Sequence, residues 1–287
     1  MPKLNYYSLK HIFDTEEACI EYLCEHKAIY NKMKCPKHNI DMSKLKKQWR
    51  CRKHNCNKRI SIFKDSFFAY SKLKVNEIMY FIHLKINNAS SSSICSSTGH
   101  SSKTVAYWLE KYRKTISQTI QDSSGMIGGS GIIVEIDETL ISRRENPWTG
   151  KVGVWVFGGI ERTPEKRVFA QMVPDRTRET LFGIIKNYIN PGSIIISDCW
   201  AAYKTIFEDL GMKHMTVDHS KNFKDPVTGA HTNNIEASWN ILKRNVPNSE
   251  RIPEKVDEYI FEFIWKRQNQ NNLWESFMEC LATTKYF

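Results

Sequence analysis

The chain has 287 residues, 41% of them hydrophobic, and a net charge of +11. That length and apolar content suit two or three packed units and exclude wholesale disorder, and no run approaches the ~20 apolar residues of a membrane helix. The charge is uneven: residues 1–120 hold 22 Lys and Arg against 9 Asp and Glu, and residues 121–287 hold 20 against 22. A strongly basic head on a near-neutral body points to a polyanion such as nucleic acid as partner.

The opening residues show no secretory signal, so the eight cysteines are expected in a reducing compartment. There, close cysteine pairs point to metal rather than disulfides. Residues 1–30 form an N-terminal helical segment. In "TEEACIEYLCEHKAI" the apolar positions 19, 20, 23, 24, 28 and 29 mark one face, with Thr15 as cap and acids in the first turn.

Residues 31–70 have the outline of a zinc ribbon. Cys35 and His38 form one close pair, Cys51 and Cys56 a second, with a β-like stretch between them. A tetrahedral Zn²⁺ takes about four N or S ligands, and two short knuckles supply them. His54, inside the second pair, is the substitute ligand. So small a segment lacks the core to fold alone, which a structural metal remedies. Arg50, Arg52, Lys58 and Arg59 are its candidate DNA contacts.

Residues 71–120 read as helix, short helix, helix. Ile78, Phe81, Ile82 and Ile86 share a face of the first. The serine run that follows is either a linker or the start of a helix-turn-helix. In the second reading Gly99 makes the turn and Ser101 or Ser102 caps the recognition helix. Val105, Trp108, Leu109 and Tyr112 then face inward, and Ser102, Lys103, Thr104 and Tyr107 face DNA. Residues 121–130, "QDSSGMIGGS", read as a linker.

Residues 131–248 begin with three strands joined by short connections, an antiparallel meander, and continue strand and helix in alternation. A meander followed by αβαβα is the order of a ribonuclease-H-like α/β fold with a mixed sheet. Residues 249–287 are a helical extension expected to pack on this body. In the body Asp137 interrupts an apolar strand, Asp198 closes the fourth strand, and Glu236 opens the last helix. The fold places strands one and four side by side, with the last helix's first turn near them. Three converging carboxylates repel one another unless they hold cations, and oxygen ligands suit Mg²⁺ or Mn²⁺. Two such ions would serve in-line phosphodiester chemistry.

Each acid also has a plain structural reading. Glu236 lies three residues after Asn233, the spacing of a capping box, with Asn233 or Thr232 as the cap. Asp198 fits a helix cap, and Asp137 an ordinary ion pair. Glu135 and Glu138 are expected on other faces or beyond reach of Asp137, and Asp175 and Asp218 in turns. His231 and Asn233 are candidates to orient water or phosphate, Lys243 and Arg244 to contact DNA. Trp200 and Trp239 are expected in the core.

The blocks "IDETLISRRENP", "GVWVFGGIER", "PGSIIISDCWAAY" and above all "HTNNIEASWNILKR" resemble the catalytic domain of Merlin-type DDE transposases and their bacterial insertion-sequence relatives. The stretch "CPKH…WRCRKHNC" resembles that family's zinc ribbon, which usually has cysteine where His38 stands. The resemblance implies cut-and-paste transposition, with Asp137, Asp198 and Glu236 as the metal-binding triad. It implies terminal inverted repeats and target DNA as partners, a homo-oligomer in the synaptic complex, and no membrane. It points to the nucleus, or to the bacterial cytoplasm in a prokaryotic host. A domesticated DNA-binding protein and a ribonuclease-H-like nuclease are the competing readings.

Overall fold

The computed structural model describes residues 5–120, 125–145, 152–217 and 231–286. The chain divides into two compact units: residues up to 119 with those from 269 onward, and residues 120–268. Among the described residues no helix is long and apolar enough to cross a membrane.

In the first unit the expected N-terminal helix is two, α1 (Tyr6–Asp14) and α2 (Glu16–Glu25), broken at Thr15. Thr15 turns extended and its hydroxyl accepts from the Ala18 N–H, so the cap that starts α2 also ends α1. Strands β1 (Ser43–Leu45), β2 (Gln48–Arg50) and β3 (Arg59–Ser61) make a small antiparallel sheet with Trp49 buried beneath it. Helix α3 (Val75–Ile86) buries Ile78, Phe81, Ile82 and Ile86, the face its periodicity marks. Its first turn is held from a distance: Glu16 accepts from the Val75 N–H at 3.2 Å and pairs with Lys47 at 2.6 Å.

The serine run is helix, not linker. Ser90 caps α4 (Ser91–Thr98), and Gly99, at φ 71°, ends it in the left-handed conformation. Ser101 rather than Ser102 then caps α5 (Ser102–Ile120), its Oγ accepting from the Thr104 N–H. Val105, Trp108, Leu109 and Tyr112 are buried as the pattern requires. The expected extension 249–287 is shared out between the units. Its last helix, Leu273–Thr283, belongs to the first, where the Trp274 indole donates to the Tyr22 hydroxyl and Phe277 packs against Phe67 and Tyr112.

The second unit starts earlier than Gly131. Within the expected linker, β4 (Ile127–Gly128) pairs with β8 (Ile189–Asn190). The main sheet contains β5 (Ile133–Glu145), β6 (Val152–Glu161) and β7 (Val168–Val173), an antiparallel meander. Strand β9 (Ile194–Asp198) runs parallel beside β5, and β10 (Lys213–Val217) parallel beside β9. The order β10-β9-β5-β6-β7 is the expected mixed sheet, with strands one and four adjacent. Helices α6 (Arg178–Tyr188) and α7 (Ala201–Leu210) share a core with Val134, Ile136, Phe157 and Ile195. Helices α8 (Asn233–Asn245) and α9 (Pro253–Gln268) follow β10. Asp175 has the turn role expected of it, accepting from Thr177 at the start of α6; Asp218 lies outside the described residues.

Candidate metal cluster and acidic site

The small sheet of the first unit exists to hold two loops. Cys35 and His38 stand on the turn before β1, and Cys51 and Cys56 flank the loop between β2 and β3. Asn39 and Asn55 adopt positive φ, which lets each knuckle turn back sharply. The ligand atoms of Cys35, His38, Cys51 and Cys56 all lie within 4.8 Å of one another. Cys35 Sγ is 3.6 Å from His38 Nδ1 and 3.9 Å from Cys56 Sγ. Burial raises the Cys35 thiol, but hydrogen bonds from Lys37, His38 and Cys51 outweigh it and hold it at about 6, so this sulfur ionises readily. Three sulfurs and one imidazole at this spacing fit a structural Zn²⁺. His54 is exposed and outside the cluster. Arg50, Arg52, Lys58 and Arg59 are exposed around it, as are Ser102, Lys103 and Tyr107 on α5; Thr104 is half-buried.

In the second unit the acids are placed by strand register. Ile133, Val134 and Glu135 pair with Ile194, Ile195 and Ile196. The pairing ends there, and the same register continued by two residues sets Asp137 level with Asp198. Residues level across a parallel pair share a face, so the two carboxylates face the same way. Their charges also interact. Burial, then the neighbouring charges of Glu138 and Asp198, push the Asp137 carboxyl up to about 7. One Asp198 oxygen accepts from the Trp200 N–H at 3.0 Å, which shapes the turn into α7; Trp200, not Asp198, is that helix's cap residue.

Helix α8 docks on this face through Ile235, Trp239 and Leu242. Its closest approach depends on Gly158, the partner of Asp137 on β6. A Cβ there would sit 2.7 Å from the Trp239 ring and 2.5 Å from the Phe169 carbonyl oxygen. With no side chain in the way, the ring lies on the sheet and its Nε1 donates to Asp137 at 3.0 Å. Trp239 is therefore core, as expected, and also a partner of the candidate acid.

Two expectations about neighbouring carboxylates need correction. Glu135 was placed off the face of Asp137, yet residues two apart on a strand share a face. Fully buried, it accepts from the N–H groups of Asn234 (2.9 Å) and Ile235 (3.1 Å), from the Asn234 side chain, and from Arg162 at 2.6 Å. His231 stands 3.6 Å from it. Glu135 is thus the cap of α8. Neither Asn233, which is exposed, nor Thr232 caps with its side chain. Glu236 is not in a capping box: it is exposed one turn before Trp239 and accepts from the Thr232 hydroxyl at 2.7 Å. Glu138 does lie on the opposite face, but not beyond reach. Burial raises its carboxyl, the facing Tyr203 hydroxyl lowers it, and Asp198 raises it again. Neither Glu138 Oε1 nor that hydroxyl completes a well-formed hydrogen bond.

Among the described residues the Cys/His cluster is the one group of three or more His, Cys, Asp or Glu side chains gathered closely enough to hold a metal ion; Asp137, Asp198 and Glu236 do not form such a group. Lys243, half-buried, and Arg244, exposed, follow Glu236 along α8, with Arg251 capping the helix end through the Lys243 carbonyl. Trp200 departs from expectation: its ring is 37% exposed.

Residues 127–268, which contain this sheet, α8 and α9, match the family model described as the ISXO2-like transposase domain. The second unit is thus similar to a transposase domain, on the insertion-sequence side of the resemblance and not Merlin-type in particular. A similar protein is an uncharacterized transposase-like protein of Haemophilus influenzae, 28% identical over 104 residues, which are 36% of this chain and 82% of that one.

Proposed function

We propose that the chain is a DNA transposase of the DDE type, with a ribonuclease-H-like body and a DNA-binding head. The observation that supports this reading is that Asp137 and Asp198 lie on adjacent parallel strands, each two residues beyond the last paired residues Glu135 and Ile196, inside the stretch that matches a transposase domain. The raised Asp137 carboxyl fits a cation site: burial first, and then the charges of Glu138 and Asp198, disfavour its ionised form, and a bound cation would offset both. Asp137, Asp198 and Glu236 would hold Mg²⁺ or Mn²⁺. Bound there, the ions would supply a nucleophile at neutral pH and neutralise charge on the phosphate. The chain's own part is placement: Trp239 orients Asp137, the Trp200 N–H orients Asp198, and Glu135 fixes the start of the helix that carries Glu236.

In the head, the Cys35, His38, Cys51 and Cys56 cluster would hold structural Zn²⁺. Helices α4 and α5 would act as a helix-turn-helix presenting Ser102, Lys103, Thr104 and Tyr107 to terminal inverted repeats. Lys243 and Arg244 would contact phosphates. A homo-oligomer would join the two ends, in the nucleus or in the cytoplasm of a prokaryotic host.

The test is incubation of the protein with labelled duplexes carrying its element's ends, in Mg²⁺ or Mn²⁺. Nicking at the end, followed by joining to a second duplex, is expected. Asp198→Asn and Glu236→Gln should each abolish both steps. Cleavage that survives either change would overturn the mechanism, and hydrolysis without joining would make the protein a nuclease.

A further inference from the structure

Among the described residues of the second unit, Trp200 is the one large hydrophobic side chain that is markedly exposed. It stands in the turn directly after Asp198, and its backbone N–H is bonded to that carboxylate. It packs at a right angle against the buried Tyr203, 5.4 Å between ring centroids. Beside it, from the β7–α6 connection, comes Arg176. That guanidinium lies 3.9 Å from the centre of the Trp155 ring and 5.9 Å from that of Trp200. It is close enough to the acids to lower the Glu138 carboxyl. An exposed aromatic plane and a planar cation stacked on a second tryptophan therefore border the acidic site on one side.

We infer that Trp200 and Arg176 form a binding platform for one unpaired nucleobase next to the phosphate that is cut. The inference rests on the reading of Asp137, Asp198 and Glu236 as a DNA-cleaving site. The chemistry selects a base over other ligands. Its π-face matches an exposed indole, and its attached phosphate matches a guanidinium whose one face is already covered by Trp155. In a duplex the base faces are covered by their neighbours, so stacking on Trp200 requires that base to leave the helix. The platform would hold the strand open at the acids and set which phosphate is presented to them. Trp200 is here a positioning residue.

The experiment uses the full chain and end-bearing duplexes with 2-aminopurine placed in turn at each position flanking the cut. Ca²⁺ replaces Mg²⁺ or Mn²⁺, so that binding is read without cleavage. One position should change in fluorescence on binding, with the change lost in Trp200→Ala and kept in Trp200→Phe. With Mn²⁺, Trp200→Ala should cleave roughly 10- to 100-fold more slowly, the range expected for one lost base–aromatic stack. An abasic nucleotide at the responding position should restore most of that rate, which a merely structural defect would not allow. Equal fluorescence and equal cleavage in Trp200→Ala would overturn the proposal and leave the catalytic reading standing. A Trp200-dependent signal in a protein that never cleaves would uphold the platform and remove the catalytic reading.

Discussion

Glu135 and Asp137 sit two residues apart on one face of one strand and do opposite work. Glu135 is fully neutralised, by two backbone N–H groups, an amide and Arg162. Removing it leaves those donors buried around a vacancy. Glu135→Ala should therefore cost about 3–5 kcal/mol, the range for breaking a buried charge pair. Glu236→Ala, on an exposed side chain, should cost less than about 1 kcal/mol. Urea unfolding at pH 7 compares the two, and equal losses would contradict the assignment of Glu135 as the cap. Asp137 is the under-compensated acid. Its carboxyl, raised to about 7, holds its proton more tightly in the folded chain than in the unfolded one. Ionising it therefore opposes folding. The stability its protonated form supplies is present below pH ~4 and is lost as pH rises to about 7. Without added Mg²⁺ or Mn²⁺, unfolding free energy should fall between about pH 4 and pH 7. Asp137→Asn should flatten that fall while abolishing cleavage, and an unchanged slope would show that another group causes it.

At the scale of elements, both units start a helix with a carboxylate borrowed from another part of the chain: Glu16 for α3 and Glu135 for α8. Local sequence could not reveal this, because Glu135 precedes Asn234 by 99 residues. The capping-box spacing at Glu236 offered a nearby answer that the structure does not use. What was legible was periodic or paired. The apolar runs of β5 and β9, the stripe on α8 and the spacing of the four zinc candidates all read through. The choice of His38 over His54 turned on knuckle geometry, which spacing alone leaves open. The exposure of Trp200 was hidden because a lone aromatic after a strand is buried only if something covers it. One signal was present and unused: the adjacent glycines Gly158 and Gly159 inside β6 mark a close backbone approach. Gly158→Ala tests what they allow. The added methyl meets backbone and an indole, so a loss of about 1–3 kcal/mol is expected. Displacing Trp239 should also free Asp137, with cleavage falling more than stability accounts for. Cleavage at the parent rate would show that the Trp239 contact is dispensable.

For the molecule as a whole, the excess of basic residues and the Cys/His cluster lie in one unit, and Asp137, Asp198 and Glu236 in the other. Stripping Zn²⁺, or Cys51→Ser, should thus abolish end binding and lower the first unfolding transition while leaving the second in place, as calorimetry would record. A single transition that shifts as one would refute this independence. The route of the chain adds a further point. Residues 120–268 form a complete body between two parts of the other unit, whose inner packing needs Trp274 and Phe277. During synthesis, chains usually mature from the N-terminal side onward. Here the order is reversed. The α/β body has all its residues once position 268 emerges, while the unit begun first must wait for the helix at 273–283. In a nascent chain the acids would therefore have their full body before the basic head has its last helix, and any nucleic-acid binding by the head would wait for that helix.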